Sequence, residues 1–198
     1  MPKNHRHVDA EVKKEQIERA AAELFMEQGY ESTSMAAIAR DAGIATNTIY
    51  WYYPSKDDLL LAVLNKLVAE GLQQMAASTD LAPVERVMTL MELFEGAGAL
   101  MNVVHSRLTH SQPVKEWHEG FHAMMENMIA MELVQLGSNP ATAQGDTKVI
   151  IYVIEGLLAH PHQAQEREQI LGRLYSLLTR QESEEPAVAD PGFGTQLQ

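Results

Sequence analysis

The 198-residue chain contains no cysteine, which excludes disulfides, zinc–thiolate sites and thiol catalysis. Aromatic residues make up only 6% of it, and four of them stand together as Tyr50-Trp51-Tyr52-Tyr53. Positive charge is also scarce: 15 Lys and Arg stand against 27 Asp and Glu, for a net charge of −12. Such a balance opposes non-specific attraction to nucleic acid. The excess is uneven, however. Residues 1–56 carry seven Lys/Arg against eight Asp/Glu, so eleven of the twelve net negative charges lie beyond them. No apolar run approaches membrane-spanning length and no signal-peptide pattern precedes the first helical stretch. The expectation is a cytoplasmic protein with no membrane partner. Strand alternation and internal repeats are missing as well, while 45% hydrophobic residues are enough for a packed core.

What is present is helical periodicity along most of the chain. A first helix is expected over 9–28, with Ile17, Ala20, Ala21, Leu24 and Phe25 forming one apolar stripe and Gly29 closing it. A long helix is expected over 55–78, where Leu59, Leu60, Val63, Leu64, Leu67, Val68 and Leu72 are spread widely enough to bury two sides. Helical pattern resumes at Pro83, weakens at Gly96 and Gly98, and runs on toward His110. Further helices are expected over 116–136, 140–160 and 163–180. Gly137-Ser138-Asn139-Pro140 reads as a stop and restart, with Asn139 as cap and Pro140 in the first turn. Gly156, within a nearly all-round apolar run, suggests a close helix approach. The expected division is a disordered arm at 1–8, one domain at 9–62, a helical bundle at 63–180 and a disordered acidic tail at 181–198.

The most informative stretch is 34–56. Ser34 can cap a short helix whose apolar positions are Met35, Ile38 and Ala39. Gly43 stops that helix and Ile44 packs the turn. A second short helix runs to Tyr52, Pro54 ends it, and Ser55-Lys56-Asp57-Asp58 fits a capping box. Two short helices joined by a tight Gly turn describe a helix-turn-helix, whose second helix enters the major groove of DNA. Ile38, Ala39, Ile44, Ile49 and Tyr53 are the expected core of this unit. Thr46, Asn47 and Thr48 stand where the motif meets base edges, and Tyr hydroxyls suit phosphate oxygens.

From Gly43 through Leu60, GIATNTIYWYYPSKDDLL, the sequence resembles the DNA-binding signature of TetR-family transcriptional regulators. The resemblance covers about residues 13–62. It implies an all-α fold: an N-terminal three-helix helix-turn-helix domain followed by a C-terminal bundle for ligand binding and dimerisation. It further implies a homodimeric repressor of a palindromic double-stranded DNA operator, released by a small-molecule effector. Thr46, Asn47, Thr48 and Tyr50 would then lie at the DNA, with Ser34, Tyr52 and Lys56 on phosphates. The sequence departs from the family pattern at Ala45, where a capping Ser or Thr is frequent and Thr46 becomes the candidate cap. It departs also at Asn47, often Gly, and at Ala36, often basic.

Seven of the eleven methionines fall between residues 88 and 131. Methionine adapts to irregular shapes, so Met88, Met91, Met101, Met124, Met125 and Met128, with Phe94, Trp117, Phe121 and Tyr152, are candidates to line an apolar effector pocket. Dimerisation is expected on the last two long helices, through Ile154, Leu157, Leu158, Leu171, Leu174 and Leu178. One competing motif remains. His118-Glu119-Gly120-Phe121-His122 matches the H-E-x-x-H of zinc proteases, but a short loose pattern in a chain with eight His arises readily by chance. No catalytic residue and no cofactor are assigned. A metal-responsive regulator using His118 and His122, with His105 or His110, is the alternative; a zinc-dependent hydrolase is the remote one.

Overall fold

The computed structural model describes residues 3–77, 80–81, 85, 98–135, 137–160 and 162–178, and for 3–9, 158–159 and 175–178 the backbone alone. Eight helices and no strand occur among the described residues: α1 (Lys3–Gln28), α2 (Met35–Asp41), α3 (Thr46–Tyr52), α4 (Lys56–Ala77), α5 (Gly98–Arg107), α6 (Gln112–Gln135), α7 (Pro140–Ala159) and α8 (Ala164–Leu178). The fold is all-α, as expected. Met88, Met91 and Phe94 and the 181–198 tail lie outside the described residues.

The first helix begins at Lys3 rather than at residue 9. Nothing between Lys3 and Gln28 breaks it, since the segment holds neither Gly nor Pro. The expected arm over 1–8 is therefore helical from Lys3 onward. Gly29 and Gly43 adopt φ of +83° and +67° and stop α1 and α2, in the left-handed region that suits glycine. Ser34 caps α2 by accepting from the Ala37 N–H at 3.1 Å. Asn139 caps α7 by accepting from the Ala141 N–H at 2.9 Å. Gly156 differs from expectation: a Cβ built there would meet nothing within 4 Å among the described residues, so none of the described helices approaches it closely.

Three hydrophobic groups hold the helices. In the largest, Ile17, Ala21 and Phe25 of α1 meet Ile38 and Ala39 of α2 and Ile49 of α3 beneath Leu59, Leu60 and Val63 of α4. Leu100 and Val104 of α5 and Val114 of α6 belong to the same group. The core thus runs without a break from the three-helix unit into the bundle, and the expected boundary at 62/63 falls inside it. A second group joins Met125, Ile129 and Leu133 of α6 to Ile150 and Ile151 of α7. The third pairs Leu157 with Leu171 of α8.

Candidate nucleic-acid interface and effector pocket

Helix α3 divides cleanly between inside and outside. Ile49 is fully buried, while Trp51 is 87% and Tyr50 49% exposed. Thr46 and Asn47 are exposed and Thr48 half-buried at the helix start. The N-cap is Ala45, in extended conformation and with no side-chain bond. Thr46 is the first helical residue and does not cap, because Ala45 already occupies the cap geometry. Its hydroxyl stays on the outer surface with Asn47. Tyr52 is half-buried against the core, and Ser34 is exposed at the start of α2.

Lys56 is placed differently from its expected phosphate role. Its ammonium donates to the carbonyls of Tyr30 at 2.8 Å and Thr33 at 3.1 Å, and lies 4.1 Å from the centre of the Tyr30 ring. Two of the three N–H donors of the ammonium are thereby used within the protein. Lys56 therefore ties α4 to the α1–α2 connection. The Ser55–Asp58 capping box forms as expected: Asp58 N–H donates to Ser55 Oγ at 3.1 Å, and Ser55 N–H to Asp58 Oδ2 at 2.9 Å. Tyr53 is buried and donates its hydroxyl to Glu18.

The neighbouring Asp57 carries a network that the sequence pattern did not reveal. Arg107, the last residue of α5, grips it with two nitrogens, Nε 2.7 Å from Oδ1 and Nη2 2.8 Å from Oδ2. Glu31 stands 4.0 Å from the same guanidinium, and the Tyr30 hydroxyl donates to Asp57. Burial pushes the Asp57 pKa up, but hydrogen bonds from Arg107, Tyr30 and Ser111 outweigh it and hold the carboxyl below its usual range. Burial and the bond to Asp57 raise the Tyr30 phenol above its ordinary value. The only sequence signal was Asp57 in the first turn of α4. Its partner lies 50 positions away, beyond the reach of local pattern.

On the far side of α5 a cavity of about 60 Å³ opens, lined by Gly98, Met101, Asn102, His105, Phe121, His122, Met125, Ile129, Ile151, Ile154 and Glu155. Of the expected pocket residues, Met101, Phe121 and Met125 face it. Trp117 stacks on Phe121 at 5.2 Å and donates to Asn65 Oδ1 of α4 at 2.7 Å. Met124 packs against the second core group and Met128 is half-buried; neither lines the cavity. Tyr152 does not either: it is 68% exposed, on the opposite face of α7 from Ile151 and Ile154. The expected dimer residues also turn inward. Ile154 lines the cavity, Leu157 and Leu171 bury each other, and Leu174 packs on the second core group. The side chains of Leu158 and Leu178 lie outside the described residues. Helix α7 is apolar nearly all round, so it has no polar face in the sequence to show which side is inward. Among the described residues, the exposed large apolar side chains of α7 and α8 are Val149, Tyr152 and Ile170.

His118 and His122 meet on one face of α6, ring centres 4.2 Å apart, with His105 of α5 beside His118 at 5.2 Å. His122 Nε2 lies 3.1 Å from Glu155 Oε1 of α7. Burial, then the neighbouring His122 and His105, lower the His118 pKa to about 4, leaving a neutral ring. Glu119 stands apart from this group, largely exposed and 3.9 Å from Lys115. It is not placed to serve as the general base that a zinc protease requires. His110 is exposed and stands outside the group.

The described chain thus presents a helix-turn-helix on a three-helix unit, joined through α4 to a helical bundle with an apolar cavity. Residues 17–63 match the family described as bacterial regulatory proteins, tetR family. The chain is 38% identical over 79 residues to the HTH-type transcriptional regulator HbdR of Aromatoleum sp. (strain CIB), a match covering 39% of this chain and 34% of that protein. It is 28% identical over 172 residues to the HTH-type transcriptional regulator PksA of Bacillus subtilis (strain 168), covering 81% and 82%. The HbdR match thus spans about a third of that relative's length. In fold, the chain is similar to a transcriptional regulator from Saccharomonospora viridis crystallised with choline, at TM-score 0.70 and 20% identity, covering 84% of this chain and 95% of that one.

Proposed function

We propose that the protein is a dimeric transcriptional repressor that binds a palindromic operator through α2 and α3 and releases it when a small, mostly apolar effector enters the cavity beside α5. The observation that carries this reading is the position of α5. Met101, Asn102 and His105 face the cavity, Leu100 and Val104 sit in the core shared with the three-helix unit, and Arg107 holds Asp57 at the start of α4. One ten-residue helix therefore borders both the cavity and the three-helix unit. An effector that widens the cavity shifts α5, and with it the footing of α4. Pockets for small molecules run to about 300–1,000 Å³, so a cavity of about 60 Å³ must open to admit one. The adaptable Met101 and Met125 side chains favour that. An effector then favours the opened state by its differential affinity alone.

The DNA reading rests on α3. Thr46 and Asn47 reach for base edges, and Tyr50 and Trp51 supply exposed aromatic surface. Two such helices in a two-fold dimer meet half-sites about one helical turn apart. The dimer surface we assign is the outer face of α7, where Val149 and Tyr152, three positions apart, share one side, with Ile170 of α8 as a further exposed apolar residue. The test is selection of bound sequences from random duplex DNA by the full chain. Enrichment of an inverted repeat with half-sites about 10 base pairs apart is the expected result. A pool that stays random, or enriches a site with no dyad, overturns the reading.

A further inference from the structure

We propose that His105, His118, His122 and Glu155 form a binding site for a divalent transition-metal ion at the polar end of the cavity, and that metal occupancy adjusts operator affinity through α5. The second clause rests on the regulator reading above; the first does not.

Three helices bring these side chains together. One candidate ligand atom from each lies within 4.8 Å of all the others. A tetrahedral site with metal–ligand distances near 2.0–2.1 Å has ligand–ligand edges of about 3.4 Å. The pair His122 Nε2 and Glu155 Oε1, at 3.1 Å, is already near such an edge. Closing the remainder takes small side-chain rotations. Three imidazoles and one carboxylate are a donor set that suits zinc and its first-row neighbours rather than magnesium or calcium. His118 Nε2 is buried and has no hydrogen-bond partner. Buried polar nitrogens rarely stay unsatisfied, and a metal ion supplies the missing partner. Among the described residues, no Lys or Arg lines the cavity to repel a cation. The other walls, Met101, Phe121, Met125, Ile129, Ile151 and Ile154, form an apolar surround that strengthens coordination by excluding water.

His105 gives the site its regulatory consequence. It is the α5 member of the group, two residues before Arg107, whose guanidinium holds Asp57. Ligation draws α5 toward α6 and α7, and that movement reaches the Arg107–Asp57 contact.

The experiment uses the full chain, stripped by chelator and returned to metal-free buffer. Zinc is titrated in competition with a chromophoric chelator, and cobalt is titrated with its visible absorption recorded. The expected result is one ion per chain and the intense cobalt bands of a tetrahedral site. His118→Ala and His122→Ala should each abolish both, with unchanged far-ultraviolet circular dichroism, and the milder Glu155→Gln should weaken binding at least tenfold. Failure of the wild-type chain to bind stoichiometric metal, or binding that survives both histidine variants, overturns the site. These titrations contain no DNA, so they stand whatever the operator selection returns. On the selected operator, zinc should change wild-type affinity by about fivefold or more and leave His118→Ala unaffected. Equal affinities with and without bound zinc would overturn the regulatory clause.

Discussion

Ile49 and Trp51 stand two residues apart on α3, one fully buried and the other 87% exposed. Trp51→Ala should therefore change stability by no more than about 0.5 kcal/mol. If Trp51 meets DNA, the same change should cost operator affinity on the order of tenfold. A melting curve and a binding isotherm on one preparation separate the two, and unchanged affinity would remove Trp51 from the interface. Lys56→Ala should behave in the opposite sense. Two loop carbonyls lose a charged donor, so stability should fall by about 1–3 kcal/mol; a melting temperature equal to wild type would show that those bonds add nothing to the fold. Asp57 gives a pH prediction. Its folded pKa lies below its unfolded one, through the bonds from Arg107, Tyr30 and Ser111. Its contribution is therefore full above the unfolded value, near pH 4, and is lost as pH falls through the folded value. Thermal stability between pH 6 and pH 3 should fall more steeply in wild type than in Asp57→Asn. Parallel curves would mean that the Arg107 contact contributes nothing. Side chains that follow local spacing were readable in the sequence, as Ile38, Ile49 and the Ser55–Asp58 box show. Lys56 and Asp57 were not, because the partners that decide their roles come from elsewhere in the chain.

Among the helices, legibility depended on how one-sided each was. The turns at Gly29, Gly43 and Gly137 take the positive φ that their place in the sequence implied. The stripe of α1 is inward as read. Helix α7 is apolar nearly all round, and there the inward side could not be chosen from sequence. Its Ile154 and Leu157 are interior, while Val149 and Tyr152 are on the surface. This gives a paired test. Val149→Glu with Tyr152→Glu should yield folded monomers in sedimentation, whereas Leu157→Glu should unfold the bundle, since an unpaired buried charge is costly. A dimer surviving the double change would place the interface on another face.

The shared hydrophobic group makes a statement about the molecule as a unit. Leu59, Leu60 and Val63 have Leu100, Val104 and Val114 as neighbours, and Trp117 is bonded to Asn65 across the same junction. The chain has two tryptophans, so a Trp51→Phe variant leaves Trp117 as the only indole. Its fluorescence and the far-ultraviolet circular dichroism should report one coincident unfolding transition in denaturant. Two separated transitions would mean that the three-helix unit melts on its own.

That continuity bears on how such a protein could be recombined. A hybrid cut within α4 would carry α2 and α3 away from Leu100, Val104 and Arg107, leaving the underside of α4 bare and Asp57 without its guanidinium. If α3 reads DNA as proposed, its specificity would have to be transplanted either by surface changes on α3 alone or by a graft that runs through Val114, taking the helix beside the cavity along with it.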